Sequence, residues 1–298
     1  MSIVFGVISY LPDNNIRDKR LKAHYTQMEW LSRVLPNIPT VRVYQNWRED
    51  KIPNAPTAND IVKTFNVGIG PSRARNIILE YFYASNFDWL MLCDDDSYLY
   101  NYYEPEMFLE EISETDKFNY LGIIVPLNPR VTPFKKVNYE PVKKGLYVFT
   151  RDNLLNEHPV MFIPNITKLG YSPIYFDAEF YEKHNSYEDV LFALRWVYSG
   201  HKFYQLESLI LKSQELDNSS IYGDRTVSKQ NRLKVKDDAL RALSQQLNIP
   251  LVSRNGSIAL DMKAVPNTTH TKYAIPRKRP IEFKENEVPN TSTQRKLF

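Results

Sequence analysis

The chain has 298 residues, 43% of them hydrophobic and 24% charged, with a formal net charge of +3. That balance excludes an extended disordered polypeptide and leaves room for one large domain with an appendage. The mild positive charge permits an anionic partner without demanding one. No stretch approaches the roughly 20 consecutive apolar residues of a membrane helix, so no membrane partner is expected. The start of the chain, Met1 to Ile8, lacks the basic segment and cleavage site of a signal peptide. Cys93 stands alone and allows no intramolecular disulfide, which suits a reducing compartment, and the expected location is cytoplasmic.

Taken in chain order, short apolar runs alternate with helical patterns, which predicts an α/β fold. Ile3 to Ser9 reads as a buried strand, Ala23 to Leu35 as a helix, and Thr40 to Tyr44 as an alternating strand. A Pro- and Asn-rich loop spans Lys51 to Asp60, after which Gly70-Pro71-Ser72 opens a helix carrying Ile77, Ile78, Tyr81 and Phe82. Trp89 to Leu92 is a buried strand that runs into Asp94-Asp95-Asp96. Strands are predicted at Tyr120 to Val125 and Gly145 to Thr150, and a helix at Tyr187 to Tyr198, with Asn185 and Ser186 as its cap. Beyond Asp217 the composition changes. Tyr222 to Arg241 holds six basic and three acidic side chains, and Leu233, Leu240, Leu243 and Leu247 recur at helical spacing. That is an amphipathic helix with a basic outer face. A polar tail begins around Pro276-Arg277-Lys278-Arg279-Pro280. Three regions follow: a main domain over 1–215, a basic helical extension over 216–265, and a polar tail over 266–298.

The triple aspartate carries the most chemistry. Adjacent carboxylates repel one another, and the end of a buried strand is a poor place to leave them unpaired. Open α/β sheets bind ligands at the carboxyl ends of their strands, and hard oxygen donors there favour Mg²⁺ or Mn²⁺. About 20 residues upstream, Gly68-Ile69-Gly70-Pro71-Ser72-Arg73-Ala74-Arg75-Asn76 offers free amides at a helix start. Its two arginines suit a phosphate or the acidic loop itself. Glu188-Asp189 opens a later helix, where two carboxylates also complement the helix dipole.

With Ala74-Arg75-Asn76, Asp94-Asp95-Asp96 and Glu188-Asp189 in this order, residues 1–215 resemble the GT-A family of nucleotide-sugar glycosyltransferases. The resemblance implies a Rossmann-like mixed sheet flanked by helices and a hexosyl- or pentosyltransferase using a UDP-sugar with Mn²⁺ or Mg²⁺. It implies metal binding by Asp94 and Asp96. It also implies a donor site of Ser9, Arg73, Arg75, Asn76, Asp94 and Asp95. Asp189 takes the part of general base in an inverting displacement, and Glu188 orients the acceptor. Many family members add a histidine ligand after the Glu-Asp helix. The stretch 206–217 has none, and His270 in the tail is the substitute.

The acceptor is read from charge. Arg225, Lys229, Arg232, Lys234, Lys236 and Arg241, followed by Arg277-Lys278-Arg279, form a basic set suited to phosphates. In overall character the chain is similar to the DNA-modifying glycosyltransferases of T-even-type bacteriophages. That similarity implies glucose transfer to hydroxymethylated or already glucosylated duplex DNA in a host cytoplasm. A saccharide or lipid-linked acceptor is the alternative. A phosphoryl-transfer enzyme lacks its lysine-bearing glycine loop here, and a non-catalytic nucleic-acid-binding protein leaves the acidic triplet unexplained.

Overall fold

The computed structural model describes residues 2–12, 17–54, 59–99, 122–127, 140–143, 146–148, 154, 158–213, 229–254 and 257–265. Four parallel strands form its first half: β1 (Ile3–Tyr10), β2 (Thr40–Gln45), β3 (Asp60–Phe65) and β4 (Trp89–Asp94), in the spatial order β3-β2-β1-β4. The chain leaves β1 toward β3 on one side and returns to β4 on the other. The carboxyl ends of β1 and β4 therefore flank a topological switch point, the place where such sheets bind ligands.

The sheet continues through β5 (Ser97–Leu99), β6 (Gly122–Leu127), β7 (Glu140–Lys143), β8 (Leu146–Val148), β9 (Val160–Pro164) and β10 (Lys202–Ser213). These extend the order as β4-β9-β6-β10-β8-β7, with β5 paired to β10, giving ten strands among the described residues. Strand β9 runs antiparallel to both β4 and β6, so the sheet is mixed. Helices α1 (Arg17–Val34), α2 (Pro71–Ala84), α3 (Ala178–His184), α4 (Glu188–Tyr198) and α5 (Lys229–Leu247) flank it, and a hairpin of β11 (Leu251–Arg254) and β12 (Ser257–Leu260) follows. The fold is α/β, as the alternation of patterns predicts.

Successive strand residues face opposite sides, and here each side has its own core. Val4, Ile8, Leu90 and Leu92 pack with Ile78 and Phe82 of α2 and with Val190, Leu194 and Trp196 of α4. Ile3, Phe5, Val7, Met91 and Cys93 pack with Met28, Trp30, Leu31 and Val34 of α1. Gly6 permits the first arrangement: a Cβ there would lie 2.6 Å from Ile78 Cγ2 and 2.9 Å from Leu90 Cδ1. Helix α2 consequently lies close on β1, with its first turn beside the end of β4.

Several elements differ from expectation for identifiable reasons. Helix α1 begins at Arg17, well before Ala23, because its first three turns bury polar side chains (Arg20, His24, Thr26 and Gln27) that break the apolar pattern. Strand β2 was expected to alternate, yet all six of its residues are buried, Arg42 included. The Arg42 guanidinium is satisfied by Asp60, by the Tyr44 hydroxyl at 2.9 Å and by the Pro53 carbonyl at 2.7 Å. The helix expected at Tyr187 starts one residue later and takes no side-chain cap. Tyr187 itself is the N-cap, at φ 59, while Asn185 terminates α3 at φ 50.

In the extension, Leu240 and Leu243 are buried but Leu233 is 53% exposed. Among the described residues the apolar stripe of α5 is buried at Ala239, Leu240 and Leu243 in its second half, and β12 and α3 lie against the helix. Leu240, Leu243, Ile249, Leu260, Met262 and Val265 share one core with the strands and α4. Among the described residues no helix is long and apolar enough to cross a membrane. The polar tail, with His270 and Arg277-Lys278-Arg279, lies outside the described residues.

Leu243→Ala is expected to lower the stability of the whole domain by about 2–5 kcal/mol, the range for emptying a fully buried leucine site. One cooperative melting transition shifted downward is the result to look for; an unshifted main transition would mean that α5 folds apart from the sheet. Two buried histidines supply a second expectation. Burial pushes His24 and His158 down to about 3, with the Arg42 charge adding to the effect on His24. Because the unfolded chain binds these protons near pH 6.5, the stability they contribute is complete above that pH and is lost progressively toward pH 3. Their imidazole NMR shifts are expected to stay flat between pH 8 and 5.

Candidate active site

The end of β4 distributes its aspartates by strand geometry. Leu92 and Asp94 share the side of the sheet covered by α2, whereas Cys93 and Asp95 share the side covered by α1. Asp94 meets Arg75, whose Nη2 donates to Asp94 Oδ1 at 2.8 Å. Asp95, 2% exposed, accepts from Ser9 Oγ at 2.5 Å and from Arg20 Nη1 at 2.7 Å. Asp96 lies in the turn beyond, half-buried, and accepts from Ser97 Oγ at 2.9 Å. Of the three carboxylates, Asp95 is the one most fully taken up by the protein.

Arg75 does more than hold Asp94. Its Nη1 donates to Glu188 Oε1 at 3.2 Å, so one guanidinium joins the end of β4 to the start of α4. Its position is set by packing: the guanidinium lies over the Phe176 ring, 5.2 Å from the centroid, and Phe176 stacks on Phe192 at 4.1 Å. Asn76 clamps the Phe176 backbone in both directions, donating to its carbonyl at 2.9 Å and accepting from its N–H at 2.8 Å. Asn76 is thus engaged in scaffolding, and Arg73 pairs with Glu182 at 2.5 Å on the surface of α2 and α3.

Asp189 sits at the same end of the sheet. Its Oδ1 accepts from the N–H of Val190 at 2.8 Å and its Oδ2 from the N–H of His158 at 3.2 Å. Next to His158, the carbonyl of Pro159 accepts from Asp94 N–H at 2.9 Å. The segment leading into β9 therefore fastens the acidic turn on one side and the Asp189 carboxylate on the other. Tyr187, at φ 59, immediately precedes the Glu188-Asp189 pair; a bulky residue in that left-handed region is strained, and such strain gathers at functional sites.

Three contributors had no signal in the sequence. Arg20 sits in an unremarkable basic run, Arg17-Asp18-Lys19-Arg20, and His158 and Pro159 act through their backbone groups. Only an inward-facing position on α1, in register with the end of β4, distinguishes Arg20 from its neighbours.

The electrostatics follow from the inventory. Asp94, Asp95, Asp96, Glu188 and Asp189 face the guanidinium groups of Arg20 and Arg75, five carboxylates against two cations. Burial, reinforced by the charges of Asp95 and Asp94, pushes the Asp96 carboxyl up to about 7. Burial and the charge of Asp189 push Glu188 up to about 6, against the opposing pull of Arg75. Hard oxygen donors with unbalanced negative charge at one end of the sheet suit a divalent cation. Among the described residues no group of three or more His, Cys, Asp or Glu side chains is arranged to hold one by itself. Asp94 and Asp96 would consequently share it with ligand oxygens and water.

No protein-family model matches the chain, and no curated protein matches it in sequence. Among solved structures, the chain is similar to S. aureus TarS, at 14% identity and a TM-score of 0.46 over 82% of this chain and 40% of that one. The 1–349 fragment of TarS in complex with UDP matches over 90% of this chain and 99% of the fragment, at 12% identity and a TM-score of 0.49. GalNAc-T7 with UDP, GalNAc and Mn²⁺ matches over 71% of this chain and 43% of its own, at 11% identity and a TM-score of 0.45. At these identities the likeness is one of chain path.

Replacing Arg75 with leucine strips two carboxylates of their shared partner. The expected loss of stability is about 3 kcal/mol, the lower end of the range for a broken buried ion pair, because the Asp94 side chain stays 33% exposed. Arg75→Lys keeps the charge but reaches one carboxylate at a time, so an intermediate loss is expected from denaturant unfolding. Equal stability of Arg75→Leu and wild type would contradict the bridging role.

Proposed function

We propose that this chain is a divalent-cation-dependent glycosyltransferase that moves a sugar from a UDP-sugar onto an acceptor hydroxyl. The observation that carries the proposal is the Arg75 bridge, which joins the Asp94–Asp96 turn to the Glu188-Asp189 helix start at the switch point of an α/β sheet. A phosphate-bearing donor needs a cation site and a separate base for the incoming hydroxyl, and these two carboxylate groups supply the two functions side by side.

Asp94 and Asp96 would hold Mn²⁺ or Mg²⁺. The cation, when bound, neutralises charge on the donor diphosphate. Asp95, Ser9 and Arg20 hold the turn in shape from below, and Arg75 and Asn76 hold it from the α2 side. We assign these five to positioning rather than to direct contact with the donor. Asp189, fixed by two backbone N–H groups, acts as general base. The acceptor oxygen forms a bond to the anomeric carbon, the bond from that carbon to the diphosphate oxygen breaks, UDP departs with the electron pair, and the acceptor's proton passes to Asp189. The product has inverted configuration. Glu188 accepts from Arg75 and orients the acceptor side of the cleft. His270 is kept as a candidate further ligand.

For the acceptor we propose hydroxymethylated or already glucosylated duplex DNA, with glucose as the sugar. The support among the described residues is the exposed basic side chains Lys234, Lys236 and Arg241 of α5, three cations against Asp237 and Asp238. Positive charge on a helix face suits phosphate contacts that position a duplex without reading its bases.

The first experiment incubates the protein with UDP-sugars and Mn²⁺ and measures release of UDP. Asp96→Ala is expected to abolish transfer while the fold persists, and Asp189→Asn to retain donor binding with turnover reduced roughly 100-fold or more. Full activity of Asp96→Ala, or of wild type in excess chelator, would sink the metal assignment; a retained anomeric configuration in the NMR spectrum of the product would remove Asp189 from its role. Hydroxymethylated and pre-glucosylated duplexes, unmodified DNA and free saccharides are then compared as acceptors across a salt series. Transfer confined to saccharides, with no DNA binding at low salt, would overturn the DNA reading.

A further inference from the structure

Helix α1 presents one continuous stripe to the sheet at Arg20, His24, Gln27, Leu31 and Val34, spaced four, three, four and three residues apart. Its second half is apolar, as a buried stripe is expected to be. Its first half is polar, yet Arg20 is 9% exposed and His24 and Gln27 are wholly buried. Burying three polar side chains on one helix face is costly unless each is hydrogen-bonded. All three are, and the bonds converge on the acidic turn.

Gln27 bonds the turn's backbone twice. Its Nε2 donates to the carbonyl of Asp94 at 2.6 Å and to the carbonyl of Ser97 at 2.5 Å. Those two carbonyls bracket Asp95 and Asp96, so a single amide closes the turn from which the carboxylates project. With both amide hydrogens committed, Gln27 Oε1 is left as acceptor and faces His24 Nδ1 at 3.2 Å. His24 must therefore carry its proton on Nδ1. Its Nε2 is then an acceptor for the Tyr44 hydroxyl at 2.8 Å. Tyr44 in turn accepts from Arg42 Nη1 at 2.9 Å, and Arg42 is anchored to Asp60 of β3. Each hydrogen along this chain thus faces an acceptor, and His24 also lies within hydrogen-bonding reach of the Asp95 backbone. Trp47 and Tyr44 pack edge-on against His24, with ring centroids 5.4 Å away in each case, and fix the plane of the ring.

Building on the reading of the site given above, we infer that Gln27 is a positioning residue for the cation and donor diphosphate, with His24 and Tyr44 fixing the direction of its amide. Gln27 touches no carboxylate. It acts by holding the backbone on both sides of Asp95-Asp96, and so sets how Asp94 and Asp96 are presented. Partners of this kind, one step behind the ligating side chains, govern metal affinity in other sites.

Gln27→Leu, close in volume to glutamine, removes the amide and with it both of its hydrogen bonds to the turn carbonyls. Binding of Mn²⁺ in the presence of UDP, followed by calorimetry, is expected to weaken roughly 10–100-fold, and amide hydrogen exchange at residues 95–97 is expected to quicken, while unfolding stays cooperative. Two substitutions at His24 test the proton arrangement. His24→Asn places an N–H where Nδ1 was and is expected to stay within a few-fold of wild-type affinity; His24→Gln places its amide where Nε2 was and is expected to share the loss. Where Gln27→Leu does not fold, Tyr44→Phe removes a single hydroxyl and is expected to show a smaller change in the same direction. Wild-type exchange and wild-type Mn²⁺·UDP affinity in Gln27→Leu, or in Tyr44→Phe and His24→Gln together, would overturn the inference. A wild-type protein that binds neither Mn²⁺ nor UDP would instead defeat the reading of the site, and the exchange measurement would still decide whether Gln27 closes the turn.

Discussion

Arg75 is a buried, permanently charged group shared by two carboxylates that lie 19 and 113 residues away in sequence. A guanidinium suits that position because its donors are spread in a rigid plane and reach two acceptors at once. It costs free energy to bury, and the surroundings offset that cost in two ways. Asp94 and Glu188 supply opposite charge, and the stacked rings of Phe176 and Phe192 supply a polarisable floor. The Asn76 clamp keeps that floor in register with the helix that carries Arg75. Joining α2, β4 and α4 in this way places the acidic turn and the Glu188-Asp189 pair at one end of the sheet.

The pleat of β4 does the complementary work. One step along a strand reverses the direction of the side chain, so consecutive aspartates are delivered to opposite layers. Asp94 goes to Arg75 above the sheet, Asp95 to Arg20 and Ser9 below it, and Asp96 falls in the turn where neither arginine holds it directly. The pKa pattern follows. The carboxyl left without an arginine partner is the one that burial and its two neighbours drive up to about 7. Two of the three aspartates are paired with arginines, and the third, Asp96, meets the repulsion of both.

Much of this could be read from residue patterns. The β1 and β4 strands, the helix opened by Gly70-Pro71-Ser72, and the placement of three acidic residues at a strand terminus all follow from local periodicity and turn chemistry. Arg75, Asp94 and Glu188 are legible for the same reason: unusual residue types stand at strand and helix ends. Arg20, Gln27 and His24 are not. On a helix wheel they read as a solvated face, and only a sheet laid against that face turns them into a buried polar stripe. Leu233 failed in the opposite sense, since an apolar residue at the right spacing is buried only where a partner surface extends far enough to cover it.

The α/β class, the β1 and β4 strands and the helix starts before Arg75 and Glu188 were legible in the sequence alone, because hydrophobic period and helix-start residues are local properties, whereas β3, β9, β10 and α3 were not. Tertiary structure decided how those residues divide their labour. Whether an aspartate anchors a turn or offers its oxygens to a ligand depends on which layer it faces and which cation waits there. That is settled by the packing of α1 and α2 on opposite sides of β4, close on one side because Gly6 has no side chain and polar on the other because α1 brings its own hydrogen bonds. Such long-range pairings leave no periodic trace in the chain, since the partners are set by the geometry of the sheet and not by their spacing in sequence.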